Sequence, residues 1–210
     1  MSVLVGKKAP AFDAKAVING GEIIENFSLS QYEGEKYVVF FFYPADFTFV
    51  CPTELIAFEE KAAEFAARNT VVIGASTDSE FSHWKWLQTP QSQGGIQGVK
   101  YPLVVDQSLQ ISKDYDVLIG ADEYTEDGDV VFKGEPKAYR GLFLIDKSGI
   151  VRHQLVNDLP LGRNVDEVLR LIDALQFTEE FGEVCPANWK KGDKALVATQ
   201  EGISSYLSEK

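Results

Sequence analysis

Tyr37-Val38-Val39-Phe40-Phe41-Phe42-Tyr43-Pro44-Ala45-Asp46-Phe47-Thr48-Phe49-Val50-Cys51-Pro52-Thr53-Glu54 runs from an unbroken apolar segment to a cysteine placed where a helix begins. The segment up to Tyr43 is β-branched and aromatic, and so short a run reads as a strand buried on both faces rather than as a helix. Pro44 has no N–H for a ladder and fixes φ, so the chain leaves the sheet there. Downstream, Leu55, Phe58, Ala62 and Phe65 recur at helical spacing, with Glu59, Glu60, Lys61 and Glu64 on the opposite face. Pro52 suits a first turn, where its missing N–H would have no intrahelical partner. Cys51 therefore stands at the N-terminal end of the helix, where free N–H groups and the positive pole of the macrodipole favour an anion. The thiolate, not the thiol, is the nucleophile. A lone cysteine is more often a small buried hydrophobe, but a core residue needs neither a proline stop before it nor a helix start after it.

Outward from this stretch the chain alternates. Ala9-Pro10-Ala11-Phe12 opens an extended segment, and Val17 to Ile24 reads as a hairpin, because Asn19-Gly20 supplies the positive φ angles of a tight turn. Thr70 to Ser76 is a second buried strand, so strand, helix and strand form a right-handed parallel unit. Ser79 to Leu87 predicts a helix with Phe81, Trp84 and Leu87 along one face, ended by Thr89-Pro90. Tyr101 to Val105 is a short strand and Leu109 to Tyr115 a modest helix. Gly120 to Pro136, with Asp122, Glu123, Glu126, Asp127 and Asp129, reads as a surface excursion in which Val130-Val131-Phe132 pairs locally. Ala138 to Asp146 and Ile150 to Val156 form a hairpin around Lys147-Ser148-Gly149. Val165, Val168, Leu169 and Ile172 mark a final core helix ending near Phe177.

That order is an α/β thioredoxin fold with an N-terminal β-hairpin extension and a C-terminal arm. The expected organisation is a domain over 1–177 and an arm over 178–210 that needs another surface, expected on a second subunit. An open α/β sheet places its site at the carboxyl ends of its parallel strands, where Cys51 falls.

A chain of 210 residues with 45% hydrophobic content suits one domain with an extension. The formal net charge of −12 argues against wrapping nucleic acid, which needs a basic stripe. No apolar run approaches signal-peptide or membrane-spanning length, so no membrane association and a cytoplasmic location are expected. Two distant cysteines and no C-x-x-C fit neither a secreted disulfide scaffold nor an ordinary dithiol exchanger.

Pro44-x-x-x-Thr48-x-x-Cys51 resembles the active-site signature of the peroxiredoxins. Gly182-Glu183-Val184-Cys185-Pro186-Ala187-Asn188-Trp189 resembles the segment around the resolving cysteine of the typical two-cysteine branch, and Tyr139-Arg140-Gly141-Leu142-Phe143-Leu144-Ile145-Asp146 the strand carrying the family's essential arginine. Arg163, in Pro160-Leu161-Gly162-Arg163, is similar to another family arginine near the site. The resemblance, to the alkyl hydroperoxide reductase C type, extends from about Pro10 to the C-terminus. It implies that Pro44 shields the sulfur, that Thr48 hydrogen-bonds thiolate and peroxide, and that Cys51 is peroxidatic, attacking the O–O bond of hydrogen peroxide or an alkyl hydroperoxide. It implies further that Cys185 of a partner subunit resolves the resulting sulfenic acid as a disulfide, which a separate dithiol protein, of thioredoxin or alkyl hydroperoxide reductase F type, then reduces. An antiparallel homodimer, assembling as five dimers in a ring with contacts near Phe47-Thr48-Phe49, and no metal or organic cofactor complete the expectation.

The chemistry asks for the same residue types. A weak O–O bond needs an ionised sulfur and stabilisation of the charge that grows on the departing oxygen. Arg140, always charged and able to donate to two oxygens, is the candidate guanidinium, with Glu54, a turn after Cys51, to orient it. A cysteine hydrolase would pair Cys51 with His83 or His153, neither of which sits in a recognisable base motif. A zinc site from Cys51, His83, His153 and Cys185 lacks the short ligand spacings such sites show. The alternative from another class is a non-enzymatic oligomeric holdase scaffold.

Overall fold

In the computed structural model, which describes residues 2–209, the apolar run is an inner strand of a seven-stranded sheet. The strands are β1 (Ala14–Ile18), β2 (Glu22–Phe27), β3 (Tyr37–Phe42), β4 (Thr70–Ser76), β5 (Leu103–Val105), β6 (Ala121–Tyr124), β7 (Val130–Lys133), β8 (Arg140–Ile145) and β9 (Val151–Asn157). The helices are α1 (Cys51–Glu60), α2 (Ala62–Ala67), α3 (Glu80–Gln88), α4 (Gln110–Asp114), α5 (Val165–Phe181) and α6 (Gln200–Ser208). The sheet order is β2-β1-β5-β4-β3-β8-β9. Strands β3, β4 and β5 are parallel, and the flanking strands run antiparallel to their inner neighbours.

Every residue of β3 is buried, because the strand's alternation feeds two layers. Phe40 and Phe42 face an aromatic cluster, 5.1 and 5.3 Å from the Tyr115 ring. Phe41 points the other way and stacks on Phe58 of α1 at 4.5 Å. This stacking seats α1 against the strand that precedes it, which fixes where Cys51 can be. The Asn19-Gly20 turn adopts the expected left-handed angles, with φ of 52° and 76°.

Several expectations change. The predicted single helix after Cys51 is two, broken at Lys61, although Phe58 and Phe65 still pack 5.9 Å apart. In α3 the buried face is Glu80, His83, Trp86 and Leu87; of the expected Phe81, Trp84 and Leu87, Leu87 is buried as expected while Phe81 is 68% exposed and Trp84 43%. A polar His83 takes an inward position because its ring nitrogens find buried partners, and apolar spacing cannot register that. The excursion over 120–136 is exposed and pairs locally as expected, as the β6–β7 hairpin in a sheet of its own. Its neck is closed by Gly120 and Gly134: a Cβ on Gly134 would meet the Gly120 Cα at 2.4 Å.

The contacts divide the chain into two compact units, one through Arg163 and one from Asn164 onward. The boundary thus precedes the closing helix, where the sequence reading drew it at 177. In the second unit α5 is capped by Asn164 and runs to Phe181 rather than ending near Phe177. Part of the arm lies on that helix, with Trp189 5.0 Å from Phe177 and its carbonyl accepting from Arg170 Nη1 at 2.9 Å. Helix α6 buries no residue.

Candidate active site

The loop between β3 and α1 holds a turn that its own sequence does not favour. Phe47 has φ of +53°, a left-handed conformation that is unusual for a bulky residue and costs of order 1–3 kcal/mol. Buried Asp46, just before it, supplies the restraint. Asp46 N donates to Asp78 Oδ2 at 2.9 Å, Tyr43 Oη donates to Asp46 Oδ1 at 2.9 Å, and His83 Nδ1 lies 2.9 Å from Asp46 Oδ2. His83 Nε2 is bonded to the Val104 carbonyl at 3.3 Å, tying the loop to the neighbouring strand as well. Burial pushes His83 down, but the charge and hydrogen bond of Asp46, with the charge of Asp78, outweigh it and hold the imidazole above its ordinary value. Burial, then the charges of Asp46 and Asp78, keep the Tyr43 phenol well above its ordinary range.

Cys51 is the first residue of α1 and is fully buried. Arg140, the first residue of β8, points Nη1 at its sulfur from 3.5 Å. The guanidinium is braced twice: Nε donates to the Leu159 carbonyl at 2.7 Å, and Nη1 forms a buried ion pair with Glu54. Glu54 lies one helical turn after the cysteine, so the helix that carries the sulfur also carries the group that aims the arginine. Arg163 grips the same carboxylate, through N and Nε to Oε1 at 2.9 and 2.8 Å and Nη2 to Oε2 at 3.0 Å. Its Nη1 donates to the carbonyls of Phe42 and Gly141, each at 2.7 Å, joining β3 to β8 at the site. Burial pushes Arg163 below its ordinary value against the pull of Glu54. One carboxylate between two guanidiniums leaves an excess buried positive charge beside the sulfur.

A pocket of about 370 Å³ adjoins the buried cysteine, lined among others by Pro44, Thr48, Cys51, Lys137 and Arg140. Pro44 is buried and forms part of the lining. Thr48 Oγ1 donates to the Ala45 carbonyl at 2.9 Å, so its proton is directed into the loop while its oxygen lone pairs stay available to a ligand. Pro44, Thr48, Cys51, Glu54, Arg140 and Arg163 are thus brought together. Cys185 lies in the second unit, partly buried, with Sγ 3.7 Å from the Ala174 carbonyl and 3.8 Å from Thr178 Oγ1.

The sequence reading missed Asp46, Tyr43, Asp78 and His83 as the loop's anchor, and Lys137 as a lining residue. Asp46 had one readable signal: a carboxylate beside Pro44, next to a buried strand, needs a partner indoors. His83 and Lys137 carried none. His83 is spent on Asp46 and Val104, which leaves it no role as a hydrolase base or a metal ligand.

Comparison with known proteins gives a family model described as the AhpC/TSA family, matching residues 5–154, and a second described as the C-terminal domain of 1-Cys peroxiredoxin, matching 174–209. The chain is 50% identical over 207 residues to alkyl hydroperoxide reductase C of Helicobacter pylori, covering 99% of this chain and 98% of that one. It is 53% identical over 201 residues to peroxiredoxin 2 of Drosophila melanogaster, with 96% and 95% covered. Among solved structures, reduced 2-Cys peroxiredoxin of Plasmodium vivax superposes with a TM-score of 0.88 at 44% identity, covering 99% of this chain and 100% of that one.

Proposed function

The chain belongs to the AhpC/TSA family and is a thiol-dependent peroxidase, a peroxiredoxin, and on that premise we propose that Cys51 is its peroxidatic cysteine and Cys185 its resolving one. The observation that carries this is the guanidinium of Arg140, 3.5 Å from the Cys51 sulfur and held there by Glu54. In the proposed cycle the Cys51 thiolate attacks the terminal oxygen of hydrogen peroxide or an alkyl hydroperoxide. The S–O bond forms as the O–O bond breaks, the sulfur becomes a sulfenic acid, and the departing oxide takes a proton as water or alcohol. Arg140 donates to the charge that grows on the oxygens, Thr48 accepts from the peroxide O–H, Pro44 keeps water from the sulfur, and Arg163 positions Glu54.

The Cys185 thiol of a second subunit then attacks the sulfenic sulfur, releasing water and closing a disulfide. A disulfide needs Cα atoms within about 7 Å, so a fully buried Cys51 has to come out. The first turn of α1 is built to let it. Val50 provides no side-chain cap, Pro52 no N–H, and the bonds to the Val50 carbonyl come from Thr53 and Glu54. A thioredoxin-type dithiol protein reduces the product.

The second subunit is proposed as an antiparallel mate: β9, seven residues long, ends the sheet order and an edge strand is a template for another copy. Assembly of dimers into a decamer is supported by Phe49, 93% exposed beside half-exposed Phe47. A cytoplasmic location accords with the absence, among the described residues, of a helix long and apolar enough to cross a membrane. The test is non-reducing electrophoresis after one equivalent of hydrogen peroxide. A disulfide-linked dimer is expected for the native chain and lost in both Cys51→Ser and Cys185→Ser, with peroxide consumption lost only in the former during the first turnover. A dimer band that survives Cys185→Ser would overturn the assignment of the resolving cysteine.

A further inference from the structure

The pocket is far larger than the smallest peroxide requires. A water molecule's share of liquid volume is about 30 Å³, so hydrogen peroxide would fill a small part of about 370 Å³. The rest has apolar walls in Val50, Leu159 and Pro160, which suit an alkyl chain, and it has one further polar feature, Lys137. Arg140 is committed to the sulfur, to Glu54 and to the Leu159 carbonyl. Lys137 is engaged differently. Its ammonium pairs with Glu135 at 2.9 Å, and the two side chains are 44% and 63% exposed. A pair so wetted contributes little and exchanges readily for another carboxylate.

The backbone that carries this lysine is nonetheless held. Its carbonyl accepts from Ile119 N at 2.8 Å, the preceding Pro136 carbonyl accepts from Thr77 Oγ1 at 2.7 Å, and Tyr139 N donates to the Val117 carbonyl at 2.8 Å. A partly exposed cationic head on an anchored backbone thus stands at the wall of an apolar cleft. The chain as a whole carries a formal charge of −12 and its general field repels anions, so attraction for an anionic substrate has to be local.

We propose that Lys137 makes this pocket selective for hydroperoxides that carry a carboxylate on an alkyl chain, of which hydroperoxy fatty acids are the plain case. The hydroperoxide end meets Cys51, Thr48 and Arg140, the chain lies along the apolar walls, and the carboxylate displaces Glu135 from the ammonium. The inference rests on the peroxidase reading above and deepens it to a substrate class.

The experiment compares linoleic acid hydroperoxide with its methyl ester, both below micelle-forming concentrations, as second-order rate constants for peroxide consumption by the pre-reduced full-length enzyme. The pair differs in the charged group, so the acid-to-ester ratio is insensitive to losses of active protein. The native chain is expected to prefer the acid by about three- to tenfold at low ionic strength, the range of an exposed to partly desolvated ion pair, and less at high salt. Lys137→Met is expected to bring the ratio to one or below, and Glu135→Gln, which frees the ammonium, to raise it. A native ratio of one or less, or a ratio unmoved by Lys137→Met, would overturn the selectivity. Hydrogen peroxide run with the native chain separates the two levels: consumption of it with no acid preference sinks the selectivity alone, and failure to consume any of the three sinks the peroxidase reading with it.

Discussion

The two cysteines live in opposite settings. Cys51 is sealed at the foot of a helix, with a guanidinium at 3.5 Å that is braced by a carboxylate, itself braced by a second arginine spanning two strands. Cys185 has long sulfur contacts to Ala174 and Thr178, next to a single backbone bridge between Val184 and Leu196. The difference suits the roles proposed for the two sulfurs. Attack on an O–O bond is accelerated by donors fixed in advance around the growing charge. Disulfide formation instead needs a sulfur whose surroundings yield, because low local stability is what permits a segment to move. The first region is held by buried ion pairs, the second by the packing of Trp189 on Phe177 and by backbone bonds.

Breaking the rigid half should give the largest effect. Arg140→Lys keeps the charge but loses the fork that serves the sulfur, Glu54 and Leu159 at once. It is expected to lower the second-order rate constant for hydrogen peroxide about a hundredfold, the scale of one lost donor in a transition state. A loss below threefold in stopped-flow measurements would mean that the brace is ornamental.

Loosening the loop anchor should give a smaller, pH-dependent effect. The folded His83 titrates above its ordinary value, facing Asp46 and Asp78, with Glu80 on its own helix also sensing its charge. Its charged-state contribution is therefore fully present below about pH 6.5 and lost as pH rises through the higher folded value. His83→Asn is expected to lower Tm by a few degrees at pH 6, as for a lost buried hydrogen bond, with the gap to the native chain narrowing toward pH 9. A gap that stays constant across that range would separate the anchor from any charge on the imidazole.

Removing part of the yielding half should cost least. Helix α6 buries no residue, so truncation after Thr199 is expected to shift Tm by no more than about a degree, within the range of surface changes. A shift of five degrees in calorimetry would show that the arm is held as firmly as the site, and the contrast would disappear.

How much of this the residues announced depends on whether a feature leaves a period. The strand at Tyr37 and its halt at Pro44 were readable because seven apolar residues and a missing N–H allow few alternatives. The Asn19-Gly20 turn was readable from turn chemistry. Cys51, Arg140, Glu54 and Arg163 came through spacing, helix position and family resemblance. What escaped was polar and internal: Asp46 with His83 is a pair separated by 37 residues, and no local pattern joins them. The inward face of α3 escaped for the same reason, since apolar spacing points to Phe81 and Trp84 while hydrogen bonding selects His83. The break at Lys61 and the grouping of α5 with the arm rest on tertiary packing that no window of residues contains.

The glycine neck of the β6–β7 hairpin carries a practical corollary. Because Gly120 and Gly134 leave no room for a side chain between them, the hairpin meets the rest of the fold through a fixed aperture, and the exposed tip around Glu126 to Gly128 lies beyond it. Residues grafted at that tip, such as an epitope or a fluorescent reporter, would extend the appendage outward while the catalytic sheet kept its register, which makes the tip the natural handle for following this enzyme in living cells.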